Sequence, residues 1–236
     1  MHSAVQVWQI PLRVSENTLA EYFECLDPDE KARADRFRFL DDRRRFVVAR
    51  GALRHLLARE LKCAPDAVEF YYGKYGKPMV ESLADRHRDD WSQRSCSFHF
   101  NLTHSGELAL CAVGYKRAVG VDIEKMKPMK RLESMMERCL SAVEQAQVEA
   151  EAECDRTRAF LQRWTCKEAY LKAVGLGLTQ SMQTVEVDVI QPRLVQVPEQ
   201  CAEGWHLAVL ALPDEYVGAL VVAGQVVVHM QQWEHL

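Results

Sequence analysis

The first half of the chain alternates between strand-like and helix-like hydrophobic patterns. Apolar side chains recur at every second position over short stretches, as in strands with one buried face, and at helical spacing over longer ones. The predicted elements are strands at 5–10, 67–72, 98–102 and 108–115, and helices at about 16–25 and 29–61. A turn is predicted at 72–78 and a polar surface loop at 82–97.

The second half begins near Lys116 and repeats the same order of elements. A strand at 118–124 precedes a long helical region at 131–174, with breaks expected near 141 and 155. Strands are then predicted at 184–190, 193–197, 205–212 and 217–223. Long helices beside runs of adjacent strands predict an α+β fold of two similar lobes with pseudo-two-fold symmetry, residues 1–116 and 117–236.

The composition is that of a folded globular protein, with 48% hydrophobic and 27% charged residues among 236. No run of eighteen apolar residues is present, and residues 1–16 lack the basic-then-apolar layout of a signal peptide. We therefore expect a cytoplasmic protein. Eight cysteines occur without a Cys-x-x-Cys pair, which favours reduced thiols over a zinc site or a redox dithiol.

Charge is distributed unevenly along the chain. The net charge is −4, yet residues 31–59 contain ten basic and three acidic residues, a local net charge of +7. One basic segment in a mildly acidic protein indicates a local anion site, not a broad nucleic-acid surface.

Two acidic residues, Asp122 and Glu124, stand in the predicted strand at 118–124. Successive side chains of a strand point to opposite faces, so the two carboxylates share one face while Val121 and Ile123 enter a core. Neighbouring carboxylates repel each other unless a cation lies between them, and Mg²⁺ prefers such hard oxygen ligands. The pattern indicates a magnesium site, although the solvated face of an edge strand has the same alternation.

A third carboxylate, Glu168, lies in the predicted helix one turn before Lys172. Residues four apart share a helix face, so both side chains point the same way as Trp164. A plain surface ion pair, worth about 0.3–0.5 kcal/mol, has the same spacing. The large aromatic residue favours a packed face instead, where Glu168 and Lys172 would complete a site for Mg²⁺ and phosphate.

Two turn segments carry groups suited to phosphate. Asn101, Thr103 and His104 stand near a strand end, where amide, hydroxyl and imidazole groups can donate to phosphate oxygens. Segment 73–78, Gly-Lys-Tyr-Gly-Lys-Pro, combines two lysines with glycines that permit a tight loop around an anion. Either segment would also fit an ordinary turn whose polar groups satisfy the backbone.

Taken in order, these motifs resemble the long, Sfp-type group of 4′-phosphopantetheinyl transferases. They are Arg33, Gly-Lys-Pro at 76–78, Asn-Leu-Thr-His-Ser-Gly at 101–106, Gly-Val-Asp-Ile-Glu at 120–124 and Trp-x-x-Lys-Glu-Ala-Tyr-x-Lys-Ala at 164–173. The last two, at this separation, are highly specific to that superfamily. Its enzymes move the phosphopantetheine arm of coenzyme A to a serine of an apo carrier protein, releasing adenosine 3′,5′-bisphosphate. The implied fold has two α+β lobes with coenzyme A in the cleft between them.

The resemblance implies a role for each matched position. Asp122, Glu124 and Glu168 would hold Mg²⁺ on the pyrophosphate of coenzyme A. Glu168 would take the serine proton, directly or through a metal-bound water, and Lys172 would neutralise the pyrophosphate. The positions expected to bind coenzyme A are Lys31, Arg33, Arg45, Lys74, Gly76, Lys77, Pro78, Asn101, Thr103, His104 and Lys172.

The expected partners are coenzyme A and an apo acyl or peptidyl carrier protein, bound by a monomer that contacts neither membrane nor nucleic acid. A methionine-rich segment is a candidate docking patch for the carrier, and it would equally form an ordinary core face. Its residues are Met126, Met129, Leu132, Met135 and Met136. The alternatives are a non-catalytic module that binds carrier protein or nucleic acid, and a different Mg²⁺-dependent phosphoryl transfer.

Overall fold

The structure is a computed structural model that describes residues 3–80, 98–175, 177, 180–198 and 204–235. The loop predicted at 82–97 lies outside these residues. The helices are α1 (Glu16–Glu24), α2 (Pro28–Asp35), α3 (Leu40–Leu61), α4 (Leu132–Cys139), α5 (Ala142–Glu149) and α6 (Glu153–Val174). The strands are β1 (Ser3–Pro11), β2 (Phe70–Tyr72), β3 (Pro78–Val80), β4 (Phe98–Ser105), β5 (Leu108–Tyr115), β6 (Val119–Lys125), β7 (Glu186–Asp188), β8 (Arg193–Gln196), β9 (Trp205–Val209), β10 (Tyr216–Ala223) and β11 (Val226–Gln232).

Two sheets pack face to face, and each carries helices on its outer side. The first has the strand order β11-β1-β5-β4 and the second β6-β10-β9, while β2-β3 and β7-β8 form separate two-stranded sheets. Strand β10 shows the layering, because Leu220 and Val222 join the core between the sheets while Ala219 and Val221 join the core that includes α6. The α+β class predicted from the sequence is confirmed. Among the described helices, none is both long and apolar enough to cross a bilayer.

The prediction of one continuous helix at 29–61 was wrong, because the chain turns between α2 and α3. Phe39 adopts extended backbone angles (φ −107°, ψ 134°), and α2 folds back along α3. The turn brings Glu30 of α2 against Arg50 and Arg54 of α3 in a buried ion-pair cluster. A straight helix would leave these charges far apart, so the buried pairs explain why the helix is interrupted.

The region predicted as helical at 131–174 is broken near the expected positions. Ser141 begins α5 with a capping box, in which its hydroxyl accepts from Glu144 N and the Glu144 carboxylate accepts from Ser141 N. The second break lies at 150–152, just before α6. Side-chain acceptors at a helix N-terminus satisfy amides that lack a partner within the helix, which is why Ser141 starts a new helix.

Strand β11 was not predicted, and it pairs with the first strand of the chain. It lies parallel to β1 at the edge of the first sheet, with Ser3 opposite Val226 and Gln9 opposite Gln232. Beyond it, the indole of Trp233 is buried and donates from Nε1 to the Tyr22 hydroxyl of α1 at 2.9 Å. The end of the predicted second lobe therefore completes the sheet of the first.

Candidate active site

Strand β6 and helix α6 bring Asp122 and Lys172 into direct contact. Lys172 Nζ lies 2.5 Å from Asp122 Oδ1 and 3.5 Å from Val121 O. The close approach depends on Gly120, where an added Cβ would lie 2.1 Å from the carbonyl oxygen of Ala169 in α6. Lys172 thus points across to the strand and does not lie along the surface of its own helix.

The Asp122 carboxylate is enclosed, but only one of its oxygens is bonded. Oδ1 accepts from Lys172 and, at 3.1 Å, from the Thr103 hydroxyl. Oδ2 is buried and has no hydrogen-bond partner among the described residues. Burying an anionic oxygen without a partner costs free energy. Oδ2 is therefore a candidate ligand for a further cation.

The three predicted metal-binding carboxylates influence one another electrostatically. Burial raises the pKa of Asp122, and the Lys172 ammonium lowers it in part. Burial raises the pKa of Glu124, and the neighbouring Asp122 charge raises it further. Burial also raises the pKa of Glu168, where Lys172 acts in the opposite direction and Asp122 and Glu124 add to the increase. Mutual repulsion of this kind is relieved by a bound cation.

The three carboxylates are hard oxygen donors of the kind that Mg²⁺ prefers, but they do not form a closed cage. In the described part of the chain, no three carboxylate, imidazole or thiol groups are gathered closely enough to hold a metal ion. Mg²⁺ needs no such cage, because it commonly binds one or two carboxylates and completes its shell with water and phosphate oxygens. Asp122, with its unpaired oxygen, and Glu124 on the same strand can supply these two carboxylates.

Three polar side chains of β4 bind the strand that carries the carboxylates. The bonds are Val121 N to Asn101 Oδ1 (2.8 Å), Thr103 Oγ1 to Asp122 Oδ1 (3.1 Å) and Ser105 Oγ to Glu124 Oε2 (2.9 Å). Asn101 and Thr103, predicted from the sequence to bind phosphate, thus bond to β6 here, as does Ser105, for which no role was predicted. The sequence does carry a signal for these bonds. Polar residues stand two apart in both β4 and β6, and residues two apart share one face of a strand.

A cavity of about 430 Å³ lies between α2, α3, β2, β3 and β4. Its side chains combine three arginines and three acidic residues, Asp27, Asp29 and Glu30, with aromatic and apolar faces. They include Arg33, Arg36, Arg50, Phe46, Phe70, Tyr72, Pro78, Leu102 and His104. Desolvation and the nearby Arg45 and Lys172 charges lower the pKa of His104, which disfavours its charged form. Of the positions predicted for coenzyme A, Arg33, Pro78 and His104 line this cavity.

Arg50 is a cation of this cavity that the sequence analysis left without a specific role. Its guanidinium bonds to the buried Glu30 carboxylate and lies over the Phe70 ring, 3.7 Å from the centroid. Both contacts hold the side chain in one position. The only sequence signal was its membership of the basic run, which does not distinguish a solvated arginine from a fixed one.

Other predicted coenzyme A positions do not line the cavity. Lys31 Nζ donates to the Glu24 carbonyl at 3.1 Å, and the Lys74 side chain is exposed over the Tyr75 ring. Arg45 binds Glu107 at 2.6 Å, beside a separate cavity of about 370 Å³. These side chains are engaged with protein groups in this conformation.

The remaining loop positions form the turn between β2 and β3. Gly76 has a φ of +80°, which glycine adopts without the steric cost of a side chain, and it closes the turn through a bond from its amide to the Gly73 carbonyl. Lys77 points away from the cavity, and its ammonium donates to three backbone carbonyl oxygens. The turn therefore places Pro78 in the cavity wall and Lys77 outside it.

Lys167, the residue before Glu168, has a structural role. Its ammonium is fully buried and donates to Glu144 Oε2 at 2.5 Å, Cys139 O at 2.8 Å and Met182 O at 3.1 Å. These bonds hold α4, α5 and the chain after α6 together. The adjacent Glu168 faces the carboxylate site, so the two charged neighbours serve different faces of α6.

The methionine-rich segment contributes to the core of the second half. Met136 is 4% exposed, and the other four residues of the segment pack against the same core while partly exposed. Met129, Leu132 and Met136 also line a groove of about 1050 Å³ between α4, α5 and α6. The segment therefore packs in the core of the second half, and three of its residues also line the groove.

Comparisons with known proteins agree on one family. Residues 118–221 match the model described as the 4′-phosphopantetheinyl transferase superfamily, and residues 12–115 match that of the N-terminal part of 4′-phosphopantetheinyl transferase. The 4′-phosphopantetheinyl transferase HetI of a Nostoc species is 38% identical over 93% of this chain and 88% of its own length. The 4′-phosphopantetheinyl transferase Sfp of Bacillus subtilis is 27% identical over 79% of this chain and 76% of its own length.

Proposed function

The chain belongs to the 4′-phosphopantetheinyl transferase superfamily, in its long, Sfp-type group, and we propose that it uses coenzyme A and Mg²⁺ to modify a serine of an apo acyl or peptidyl carrier protein. The observation that carries this proposal is the contact of Lys172 with Asp122, whose second oxygen is buried and has no hydrogen-bond partner among the described residues. Its product besides the modified carrier is adenosine 3′,5′-bisphosphate.

The cavity of about 430 Å³ is the proposed site of the nucleotide part of coenzyme A. Its volume is within the range of small-molecule pockets. Aromatic and apolar walls suit the adenine ring, while Arg33 and Arg50 offer positive charge to phosphate. In its neutral form His104 keeps one ring N–H, which can donate to a pyrophosphate oxygen.

In the proposed reaction the serine oxygen attacks the phosphorus atom that bears the pantetheine arm, and adenosine 3′,5′-bisphosphate leaves. Glu168 accepts the serine proton, and the pKa increase caused by its burial makes it a stronger base. Lys172 faces the site from α6 and stabilises negative charge on the departing phosphate. Asp122 and Glu124 would hold Mg²⁺, which when bound would neutralise charge on the pyrophosphate.

The basic run at 31–59 supports this proposal over nucleic-acid binding. Several of its arginines form ion pairs with carboxylates of this chain, as in the surface pairs of Arg43 with Asp35 and Arg44 with Glu16 and the buried pair of Arg54 with Glu30. A nucleic-acid surface requires cations free to meet successive phosphates. Arg33 and Arg36 of the run line the cavity instead, where a single anionic ligand would bind.

The test of the proposed function is a mass measurement on the carrier protein. The chain is incubated with coenzyme A, Mg²⁺ and apo carrier proteins of the fatty acid, polyketide and peptide synthesis types. We expect a mass increase of one phosphopantetheine on at least one carrier, lost when a chelator is added. No increase on any carrier type, with coenzyme A intact, would overturn the proposal.

Replacing Arg33 by alanine is expected to weaken coenzyme A binding about tenfold or more, because a charge-assisted hydrogen bond contributes about 1.5–3 kcal/mol. By its resemblance to the family, Arg33 matches a basic residue that contacts the 3′-phosphate, with Lys31 and Arg45 as nearby candidates. The KM of the variant should therefore increase for coenzyme A and change little for 3′-dephospho-coenzyme A. Steady-state kinetics with both donors measure the difference.

Arg38→Ala is the matched control, since Arg38 is exposed, belongs to the same basic run and does not line the cavity. Its KM for both donors should equal that of the unmodified chain. An equal loss of affinity for both donors in Arg33→Ala would show that Arg33 contacts a part of coenzyme A other than the 3′-phosphate.

A further inference from the structure

The β2-β3 turn lies against the end of the helix that carries Glu168 and Lys172. Lys77 Nζ donates to the carbonyl oxygens of Lys172 at 2.6 Å, Val119 at 3.0 Å and Ala173 at 3.1 Å. An ammonium group has three N–H donors, and each has an acceptor here. One side chain thus joins the turn, the start of β6 and the last turn of α6.

The acceptors are groups that a helix leaves unsatisfied at its end. The last four carbonyl groups of a helix have no amide partner within it, and this end carries partial negative charge. In α6, Gly175 N bonds to Leu171 O at 3.0 Å, and Lys77 then covers the carbonyls of Lys172 and Ala173. Gly175 has a φ of +75°, and an added Cβ there would lie 3.5 Å from Lys77 Cδ. The helix end and the lysine are closely fitted.

The ammonium is also withdrawn from solvent and from the nucleotide cavity. Burial lowers the pKa of Lys77 to about 8. Its neighbour Pro78 and the strand residue Tyr72 form part of the cavity wall, while Lys77 itself does not line the cavity. The same turn therefore faces the proposed nucleotide on one side and α6 on the other.

We propose that Lys77 is a positioning residue that fixes the last turn of α6, and with it Lys172 and Glu168, to the turn that walls the nucleotide cavity. Lys77 acts through the backbone carbonyls of α6 and not by touching a phosphate of coenzyme A. A ligand that moves the cavity wall would thereby move Lys172 relative to Asp122. The kinetic consequence of this inference rests on the proposed function. The hydrogen bonds from Lys77 to α6 do not depend on that function.

The kinetic test compares Lys77→Met with Lys62→Met, an exposed lysine at the end of α3 to which no site role is assigned. Loss of a residue that orients catalytic groups typically costs about 10–100-fold in activity, so kcat of Lys77→Met should decrease by that factor. Its KM for coenzyme A should stay within about twofold, because no contact with the substrate is lost. Lys77→Arg, which keeps the charge and several donors, should recover part of kcat, and Lys62→Met should match the unmodified chain.

Hydrogen exchange provides a readout that needs no substrate. Amides in the last turn of α6 should exchange faster in Lys77→Met than in the unmodified chain and in Lys62→Met. If Lys77→Met does not fold, Lys77→Gln, which keeps two N–H donors, is measured in the same way.

A higher KM for coenzyme A with unchanged kcat and unchanged exchange would overturn the proposal and assign Lys77 to phosphate binding. The failure of the proposed function is a separate result. If the unmodified chain modifies no carrier protein, that function fails, while the exchange measurement still decides whether Lys77 holds α6.

Discussion

Replacing Asp122 by asparagine is expected to lower kcat/KM for carrier modification by at least about 100-fold with little change in fold. The substitution keeps the volume of the side chain and a carbonyl oxygen for the Thr103 hydroxyl, but it removes the charge that faces Lys172. It also removes the buried unpaired oxygen offered to Mg²⁺. Loss of a residue that only hydrogen-bonds to a metal ligand typically lowers metal affinity or activity about 10–100-fold. Loss of a direct ligand should therefore lower activity more. Initial rates of carrier modification measure the loss.

Glu124→Gln is the comparison for this experiment. Glu124 is partly exposed, and the Ser105 hydroxyl can still donate to the amide oxygen of the variant. Water can replace an exposed ligand, so we expect a smaller loss, about tenfold. Mg²⁺ titrations of both variants should show a weaker metal dependence than in the unmodified chain. Wild-type rates and Mg²⁺ dependence in Asp122→Asn would place the reaction elsewhere in the protein.

Replacing Gly120 by alanine is expected to reduce both stability and activity, through one added methyl group. The new Cβ would lie 2.1 Å from Ala169 O and 2.3 Å from Ala173 N, both backbone atoms of α6 that cannot rotate away. Overpacking of this kind costs about 1–3 kcal/mol of unfolding free energy. The helix must shift from β6 and carry Lys172 with it. A displacement of about 1 Å can cost roughly 100-fold in rate.

Gly204→Ala is the matched control, because an added Cβ there would meet nothing within 4 Å. Urea unfolding and carrier modification rates are compared for both variants. The unfolding free energy and rate of Gly204→Ala should match those of the unmodified chain. If Gly120→Ala behaves in the same way, the close packing of α6 on β6 does not control the site.

Local patterns were sufficient to identify the elements that carry the site. The alternation around Asp122 predicted a strand with Val121 and Ile123 in the core, and both are fully or nearly fully buried. The spacing of Glu168 and Lys172 predicted a helix, which α6 is. These inferences depend only on the periods of strand and helix, which are properties of the local backbone.

Partners that come from distant parts of the chain could not be predicted in this way. Ser105 and Glu124 meet because β4 and β6 lie next to each other at the junction of the two sheets. Strand neighbours of that kind are set by packing, not by local spacing. Likewise, nothing in a Gly-Lys-Pro turn indicates whether Lys77 faces a ligand or the end of a helix.

The break between α2 and α3 was missed for a similar reason. Residues 36–39 alternate arginine and phenylalanine, with no proline or glycine to end a helix. The turn is stabilised instead by Glu30 meeting Arg50 and Arg54, which are 20 and 24 residues further along the chain. Helix propensity is a weak preference that such tertiary contacts override.

The pairing of β1 with β11 has a consequence for how this protein folds. Ser3 and Val226 lie side by side although the chain between them contains more than 200 residues. Contacts between residues so distant in sequence form late, because the entropy of closing the loop is lost before the pairing is gained. Until β11 arrives, β1 is an open sheet edge that can pair with another chain. During synthesis, the protein is therefore most vulnerable to aggregation just before its last strand is made.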